Sequence, residues 1–167
     1  DLAPEFTQAS GKLAALLYKE EIERTMRTPE FDGFQLLQLQ DFPGQGTALV
    51  GLLNAFWESK GAITAAEFRE FNAPVVQLLS FDKAVFRAGE DFKAQVQVAN
   101  FKEPMADYSI RWTISDGGQN LHVGDIKGSN IPVGNGNVVG EIKTALNVEK
   151  ATQLEVKVEI TGTPYKN

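Results

Sequence analysis

The first thirty residues carry a helical spacing of apolar side chains. Apolar residues recur every four positions, and these are Ala14, Tyr18, Ile22 and Met26. That spacing places them along one stripe of a helix. Ser10 suits the N-cap position, and Thr28–Pro29 ends the helix because proline disfavours helical geometry in the residue before it. The pattern therefore predicts a helix over residues 10–27.

The next forty residues predict one strand and two further helices. Residues 34–40 alternate leucine and glutamine on opposite faces, which is typical of a strand. Residues 47–58 hold several apolar residues before Lys60–Gly61, and we interpret them as a helix. Thr64 is followed three residues later by Glu67, and this spacing predicts a capping box that opens a helix through residue 71.

The apolar period changes from about four to two after Val75. Apolar and polar residues alternate over residues 92–98, 108–114 and 154–160, which predicts half-buried antiparallel strands. Turn signals lie between them, at Gly89–Glu90, Asp116–Gly118, Gly134–Gly136 and Gly162. Several strands separated by turns, without a helical pattern, predict a β-sandwich. We therefore expect a boundary between a domain of residues 1–74 and one of residues 75–167.

Composition and charge exclude several classes of partner. The 167-residue chain has a net charge of -6, whereas a nucleic-acid binder needs a basic face and an anionic lipid attracts cations. We expect no nucleic-acid partner and no membrane partner, since no apolar run approaches the roughly 20 residues of a membrane span. The chain has no cysteine, and His122 is its only histidine, so we expect neither a metal site nor a cofactor.

Three stretches together resemble a known enzyme family. They are residues 18–23, residues 55–61 and the run Gly33-Phe-Gln-Leu-Leu-Gln-Leu-Gln-Asp-Phe-Pro-Gly-Gln-Gly-Thr47 with its continuation to Gly51. They resemble the end of the (β/α)8 barrel of glycoside hydrolase family 2-like enzymes, such as β-galactosidases and β-glucuronidases. Residues 92–100 and 161–167 resemble an immunoglobulin-like domain that follows such barrels in some members. Together the resemblances imply an α+β chain: a helical remnant with one barrel strand, followed by an immunoglobulin-like antiparallel β-sandwich. They also imply that the sandwich lacks its last strand.

The resemblance implies a parent enzyme that hydrolyses β-linked glycosides by a retaining mechanism. That mechanism uses two carboxyl groups about 5–5.5 Å apart. In the family order, both catalytic glutamates lie on strands that precede Asp1, so no catalytic residue is assigned here. The chain would be a non-catalytic scaffold of a periplasmic or extracellular enzyme. Its implied partners are the missing barrel portion of the parent chain and a carbohydrate in the parent active site.

Four residues are candidates for substrate contact. Active sites of such barrels lie at the carboxyl ends of the strands, where Asp41 and Gln45 would follow the predicted strand. Asp41 could bind a sugar hydroxyl, support a catalytic glutamate or cap the turn before Pro43. Gln38 could bond to substrate or to core neighbours. Trp57 could stack on a sugar or pack inside its predicted helix.

Two alternatives without catalysis remain open. One is a carbohydrate-binding β-sandwich, although Phe92, Tyr108 and Trp112 fall on the inward alternation rather than on an exposed face. The other is an interaction module that docks another chain. A truncated barrel piece would expose the leucine face of its strand and helices, so self-association is expected.

Overall fold

The computed structural model describes residues 2–167, so Asp1 lies outside the described residues. The described chain contains two helices and six strands, and every strand pair is antiparallel, as expected for the α+β class. Contacts divide it into two compact units. Unit 1 comprises the described residues through Thr25 together with Asp32–Asn72, and unit 2 comprises Met26–Phe31 and Ala73–Asn167.

Helix α1 spans Ala3–Arg27, so it begins seven residues before the predicted start. The prediction of Ser10 as N-cap is therefore wrong. Pro4 and Glu5 suit a first turn, because that turn needs no N–H from proline and favours a negative charge. Ile22 and Met26 of the predicted apolar stripe are buried.

Helix α2 spans Ala65–Phe71 and has the predicted capping box. The backbone N–H of Glu67 donates to Thr64 Oγ1 at 3.2 Å, and the backbone N–H of Thr64 donates to Glu67 Oε2 at 2.7 Å. Asn72 is the C-cap, and its N–H donates to the Phe68 carbonyl. This prediction is confirmed because both partners of a capping box lie within one turn of each other in the sequence.

The predicted barrel strand over residues 34–40 does not form. Only an isolated parallel bridge joins Gln40 to Leu53, and the Leu37 side chain is 84% exposed. A strand satisfies its backbone groups by pairing with neighbouring strands. The described part of unit 1 contains no other strand that could supply those partners.

The helix predicted over residues 47–58 is also wrong, because the segment forms turns and an isolated bridge between Leu53 and Ser59. The Asn54 side chain gives the physical reason. Its Oδ1 accepts the N–H groups of Phe56 and Glu58 at 2.9 and 3.0 Å. Such local bonds offer the backbone an alternative to helical hydrogen bonds.

Unit 2 contains two three-stranded antiparallel sheets, with strand orders β1-β2-β5 and β4-β3-β6. The strands are β1 Val75–Ser80, β2 Asp91–Asn100, β3 Met105–Asp116, β4 Gln119–Ile131, β5 Gly134–Ala145 and β6 Leu154–Ile160. The three predicted alternations are confirmed as β2, β3 and β6. The turn predicted at Gly134–Gly136 is wrong, since these residues begin β5 with positive φ angles at both glycines.

One buried cluster contains side chains from both sheets. It includes Phe92, Val96, Ile110, Ile114 and Val158, and Tyr108 and Trp112 pack against it. The inward alternation of the predicted strands is therefore confirmed. Fully burying one such apolar side chain contributes about 1.5–3 kcal/mol. This shared core explains why the two sheets fold as one unit.

Candidate functional site

Asp41 lies in unit 1 and is the most buried of the four predicted site residues, with 5% of its surface exposed. Its Oδ1 accepts hydrogen bonds from the Gly51 N–H at 2.9 Å and from Lys60 Nζ at 2.8 Å. Its own N–H donates to the Leu53 carbonyl at 3.0 Å. Asp41 thus joins two distant stretches of the loop that runs from residue 41 to residue 60.

Lys60 makes three hydrogen bonds inside the same loop. Besides Asp41, its Nζ donates to the Gly51 carbonyl at 2.9 Å and to the Leu49 carbonyl at 3.3 Å. A lysine ammonium has three donors, so these acceptors use all of them. The loop is therefore folded around the Lys60 ammonium, with the Asp41 carboxylate as its counter-charge.

Gly51 makes this arrangement possible through close backbone contact. A Cβ atom at this position would lie 2.3 Å from the Gln40 carbonyl carbon and 2.5 Å from the Asp41 nitrogen. Backbone atoms cannot give way as the end of a side chain can. Only glycine therefore lets the two stretches meet at the Asp41 carboxylate.

Gln38 and Gln45 lie near Asp41 in the chain but have other partners. Gln38 is half-buried, and its Oε1 accepts from Gln40 Nε2 at 3.1 Å. Gln45 is exposed and donates to Thr47 Oγ1 at 3.2 Å. The described residues contain no hydrogen bond between any two of the four candidates. Their contact with a carbohydrate stays a prediction.

Phe56 and Trp57 form an exposed aromatic tip, because 82% and 62% of their surfaces are accessible. The Asn54 side chain holds the turn that carries them, accepting from the backbone and donating to Glu58 Oε2 at 2.8 Å. Trp57 has a φ of 67°, an uncommon backbone conformation for a bulky residue. The expected packing of Trp57 inside a helix is therefore wrong. An exposed indole suits stacking on another surface.

A cavity of about 750 Å³ lies between α1 and the loop in unit 1. Leu17, Tyr18, Leu52 and Lys60 are among the residues that line it. The Tyr18 hydroxyl donates to the Val50 carbonyl at 3.1 Å, so the helix and the loop are joined beside the cavity. The side chains that line the cavity are mostly apolar. The one cation among them, the Lys60 ammonium, is hydrogen-bonded to loop carbonyls and to Asp41.

The loop provides no pair of carboxylates arranged for glycoside hydrolysis. Asp41 and Glu58 are its only acidic residues, and both accept hydrogen bonds that hold the loop in shape.

Among residues 2–167, no group of three or more His, Cys, Asp or Glu side chains could hold a metal ion. Neither described helix has the length and apolar content that crossing a bilayer requires.

Comparison with known proteins finds a likeness in unit 2. A protein family described as "Domain of unknown function (DUF8488)" matches residues 90–167, which include strands β2 to β6. No curated protein matches the chain. The family description names neither an activity nor a substrate.

Proposed function

We propose that this chain is the C-terminal part of a glycoside hydrolase family 2-like enzyme that acts on β-linked glycosides with retention. Within that enzyme the chain is a non-catalytic scaffold. The observation that carries the proposal is the resemblance of residues 33–61, which include the loop braced by Asp41 and Lys60. A loop so braced can hold side chains at the rim of an active site while others perform the chemistry.

The exposed apolar surface of unit 1 supports the same proposal. Large apolar side chains are accessible on both α1 and the loop segments, and they are Leu13, Leu16, Leu17, Leu37, Leu49, Val50 and Phe56. Where exposed apolar side chains form a patch, they mark an interaction site. The partner we propose is the remaining barrel of the parent chain. Its neighbouring strands would give residues 34–40 the hydrogen-bond partners that a strand requires.

In this proposal Gln38, Gln45 and Trp57 face the carbohydrate, and Asp41 fixes the loop that carries Gln45 and Trp57. The exposure of Gln45 and Trp57 supports a role in contact, whereas the burial of Asp41 supports a role in positioning. A periplasmic or extracellular location is part of the same proposal, because the family resemblance implies it.

For unit 2 we propose an immunoglobulin-like sandwich. Its strand orders correspond to strands A, B and E in one sheet and C′, C and F in the other. A sandwich of this kind beside a barrel acts as a support. Its half-buried Tyr108 and Trp112 pack against the core, so they support a structural role better than sugar binding.

The test is to express the full-length protein encoded by the gene and to assay it on aryl β-glycosides. We expect hydrolysis with retention by the full protein and none by residues 1–167 alone. Trp57→Ala in the full protein should raise KM, whereas Glu103→Ala, which changes an exposed residue of unit 2, should leave kinetics unchanged. A gene that encodes no pair of barrel glutamates would refute the enzyme proposal.

A second candidate function is an interaction module that docks another polypeptide. The exposed Phe56–Trp57 tip favours it, because aromatic side chains are enriched at protein interfaces. The gene distinguishes the two candidates, because a truncated barrel piece is also expected to self-associate. A gene that encodes no barrel, together with self-association of the isolated chain that Phe56→Ser abolishes in sedimentation, would favour the module over the enzyme.

A further inference from the structure

Strand β4 lies at one end of its sheet. It pairs with β3, and the order β4-β3-β6 gives it no second neighbour among the described residues. Its 13 residues make it the longest of the six strands. The open edge of a long strand presents a row of unpaired backbone groups, which is a template for pairing with another chain.

The hydrogen bonds of β3 show which β4 residues direct their backbone groups to the open side. Successive residues of a strand direct these groups to opposite sides. The Thr161 N–H donates to the Ser109 carbonyl at 2.8 Å, so odd-numbered residues of β3 face β6 and even-numbered ones face β4. Ile110 therefore bonds with its partner Ile126 on β4. The β4 residues whose N–H and C=O groups point to the open edge are Val123, Asp125, Lys127 and Ser129.

These four residues are accessible along the edge. Among the described residues, none of their N–H or C=O groups has a hydrogen-bond partner on the open side. Their side chains are exposed, whereas those of the even-numbered residues between them are half-buried. The edge therefore offers four N–H and four C=O groups in the spacing that an antiparallel neighbour requires.

Two opposite charges lie on this edge, one on each side of Ile126. Asp125 Oδ1 accepts from Arg111 Nε at 3.2 Å, and a carboxylate can accept further bonds through its second oxygen. Lys127 has no ion pair among the described residues. When two copies of the sequence Asp-Ile-Lys run antiparallel about the isoleucine, each aspartate lies opposite a lysine. The charges of the edge are therefore complementary to those of a second copy.

We propose that the β4 edge pairs with the β4 edge of a second copy of this chain, about a twofold axis at Ile126. Asp125 of each copy then lies opposite Lys127 of the other, and Val123 lies opposite Ser129. Each of these pairs exchanges two backbone hydrogen bonds, because both members direct their groups to the edge. The product is a continuous sheet of order β6-β3-β4-β4-β3-β6. This inference does not depend on the glycoside hydrolase proposal.

The charges select this register from its neighbours. An axis at Asp125 places that aspartate opposite itself, and an axis at Lys127 places that lysine opposite itself. Like charges directly opposite each other in a sheet are destabilising, whereas opposite charges are stabilising. Axes at Gly124 and Gly128 place both charges opposite uncharged residues. Two strand edges make a small interface, so we expect a weak dimer.

Amide hydrogen exchange of the full chain at increasing protein concentration tests the proposal. We expect exchange of the Asp125 and Lys127 amides to slow by about twofold or more at about 1 mM protein, because a dissociation constant of that size leaves about half of the chains paired. The Gly124 and Ile126 amides already bond to β3, so their exchange should change much less. Association through the apolar surface of unit 1 would leave the Asp125 and Lys127 amides unchanged.

Two charge variants test the register. In the paired edge, Asp125→Lys places lysine opposite lysine, and Lys127→Asp places aspartate opposite aspartate. Each variant alone should pair about tenfold or more weakly, because the twofold axis repeats every repulsion. An equimolar mixture of the two should recover the slow exchange, since each lysine then meets an aspartate. The matched control is Lys157→Asp on β6, where the side chain is 43% exposed and lies away from the edge, and it should leave pairing unchanged.

The outcomes separate the proposal from its alternatives. Weak pairing of each variant alone and recovery in the mixture would support the twofold register. Exchange of the Asp125 and Lys127 amides that does not depend on concentration up to about 1 mM would overturn the proposal. Variants that pair as well as the unchanged chain would also overturn it. So would a mixture that fails to recover while the Gly124 and Ile126 amides of both variants keep their slow exchange, because the variants would then be folded.

Discussion

Replacing Lys60 with methionine tests whether the loop of unit 1 is folded around the lysine ammonium. The change keeps an unbranched side chain of similar length and removes every donor. The Asp41 carboxylate then keeps only the Gly51 N–H, and the carbonyls of Leu49 and Gly51 lose their lysine partner. We expect the loop to open more often.

The magnitude follows from the burial of the two partners. Breaking a buried ion pair costs about 3–5 kcal/mol, whereas exposed pairs contribute about 0.2–1 kcal/mol. The Asp41 side chain is 7% exposed and the Lys60 side chain 33%, so this pair lies between the two limits. We therefore expect a cost of about 2 kcal/mol, which corresponds to about 30-fold in an opening equilibrium.

Amide hydrogen exchange measures that opening directly. The Leu53 N–H donates to the Leu39 carbonyl, and the Asp41 N–H donates to the Leu53 carbonyl, both at 3.0 Å. Exchange of these two amides should accelerate by about 30-fold in Lys60→Met. The matched control is Lys83→Met, which removes an ion pair with Glu90 whose side chains are 49% and 38% exposed. It should accelerate exchange of its neighbouring amides by about fivefold at most. If the Lys60 effect is no larger than the Lys83 effect, the loop is not held by this pair.

Two further predictions concern local features of each unit. Hydrogen bonds from the Thr64 side chain and backbone lower the pKa of Glu67 below its usual value. The stabilisation they give is thus present above the unfolded carboxyl pKa and is lost as pH falls through the lower folded value. Exchange of α2 amides should accelerate with acidification in that window, and Thr64→Ala, which costs about 1 kcal/mol, should remove most of this pH dependence. In unit 2, a Cβ atom at Gly124 would lie 2.5 Å from the Trp112 ring. Gly124→Ala should therefore destabilise unit 2 by about 1–3 kcal/mol in urea unfolding, and an equal cost in the Trp112→Ala background would contradict this contact.

Local sequence patterns correctly predicted the features that depend only on residues close together in the chain. The Thr64–Glu67 capping box needs residues three positions apart, and it forms as expected. The alternations of β2, β3 and β6 each bury one face in the common core. In these cases the sequence contains the physical cause in full, because side-chain period and capping depend on neighbours along the chain.

Strand β4 was not predicted from the sequence, because the aromatic side chains that pack against its glycines lie on another strand, β3. Its half-buried positions include Gly124 and Gly128, which lie under the rings of Trp112 and Tyr108 on β3. Glycine is depleted in strands, so these positions weaken the apolar alternation. The spacing of two glycines four apart, opposite two aromatics four apart, is the signal that could have identified the pairing.

Residues 34–60 show the limit of local patterns most clearly. Leucine–glutamine alternation predicted a strand, and apolar spacing predicted a helix, but both preferences are weak without partners. Asp41 is recognisable in the sequence as a candidate, whereas its burial and its bond to Lys60, nineteen residues away, are not. The sequence alone therefore determined the capping box, the strand period and the change from helical to strand character near Val75. Only the tertiary structure decided which charge Asp41 meets and which aromatic tip is exposed, because these depend on contacts between residues far apart in the chain.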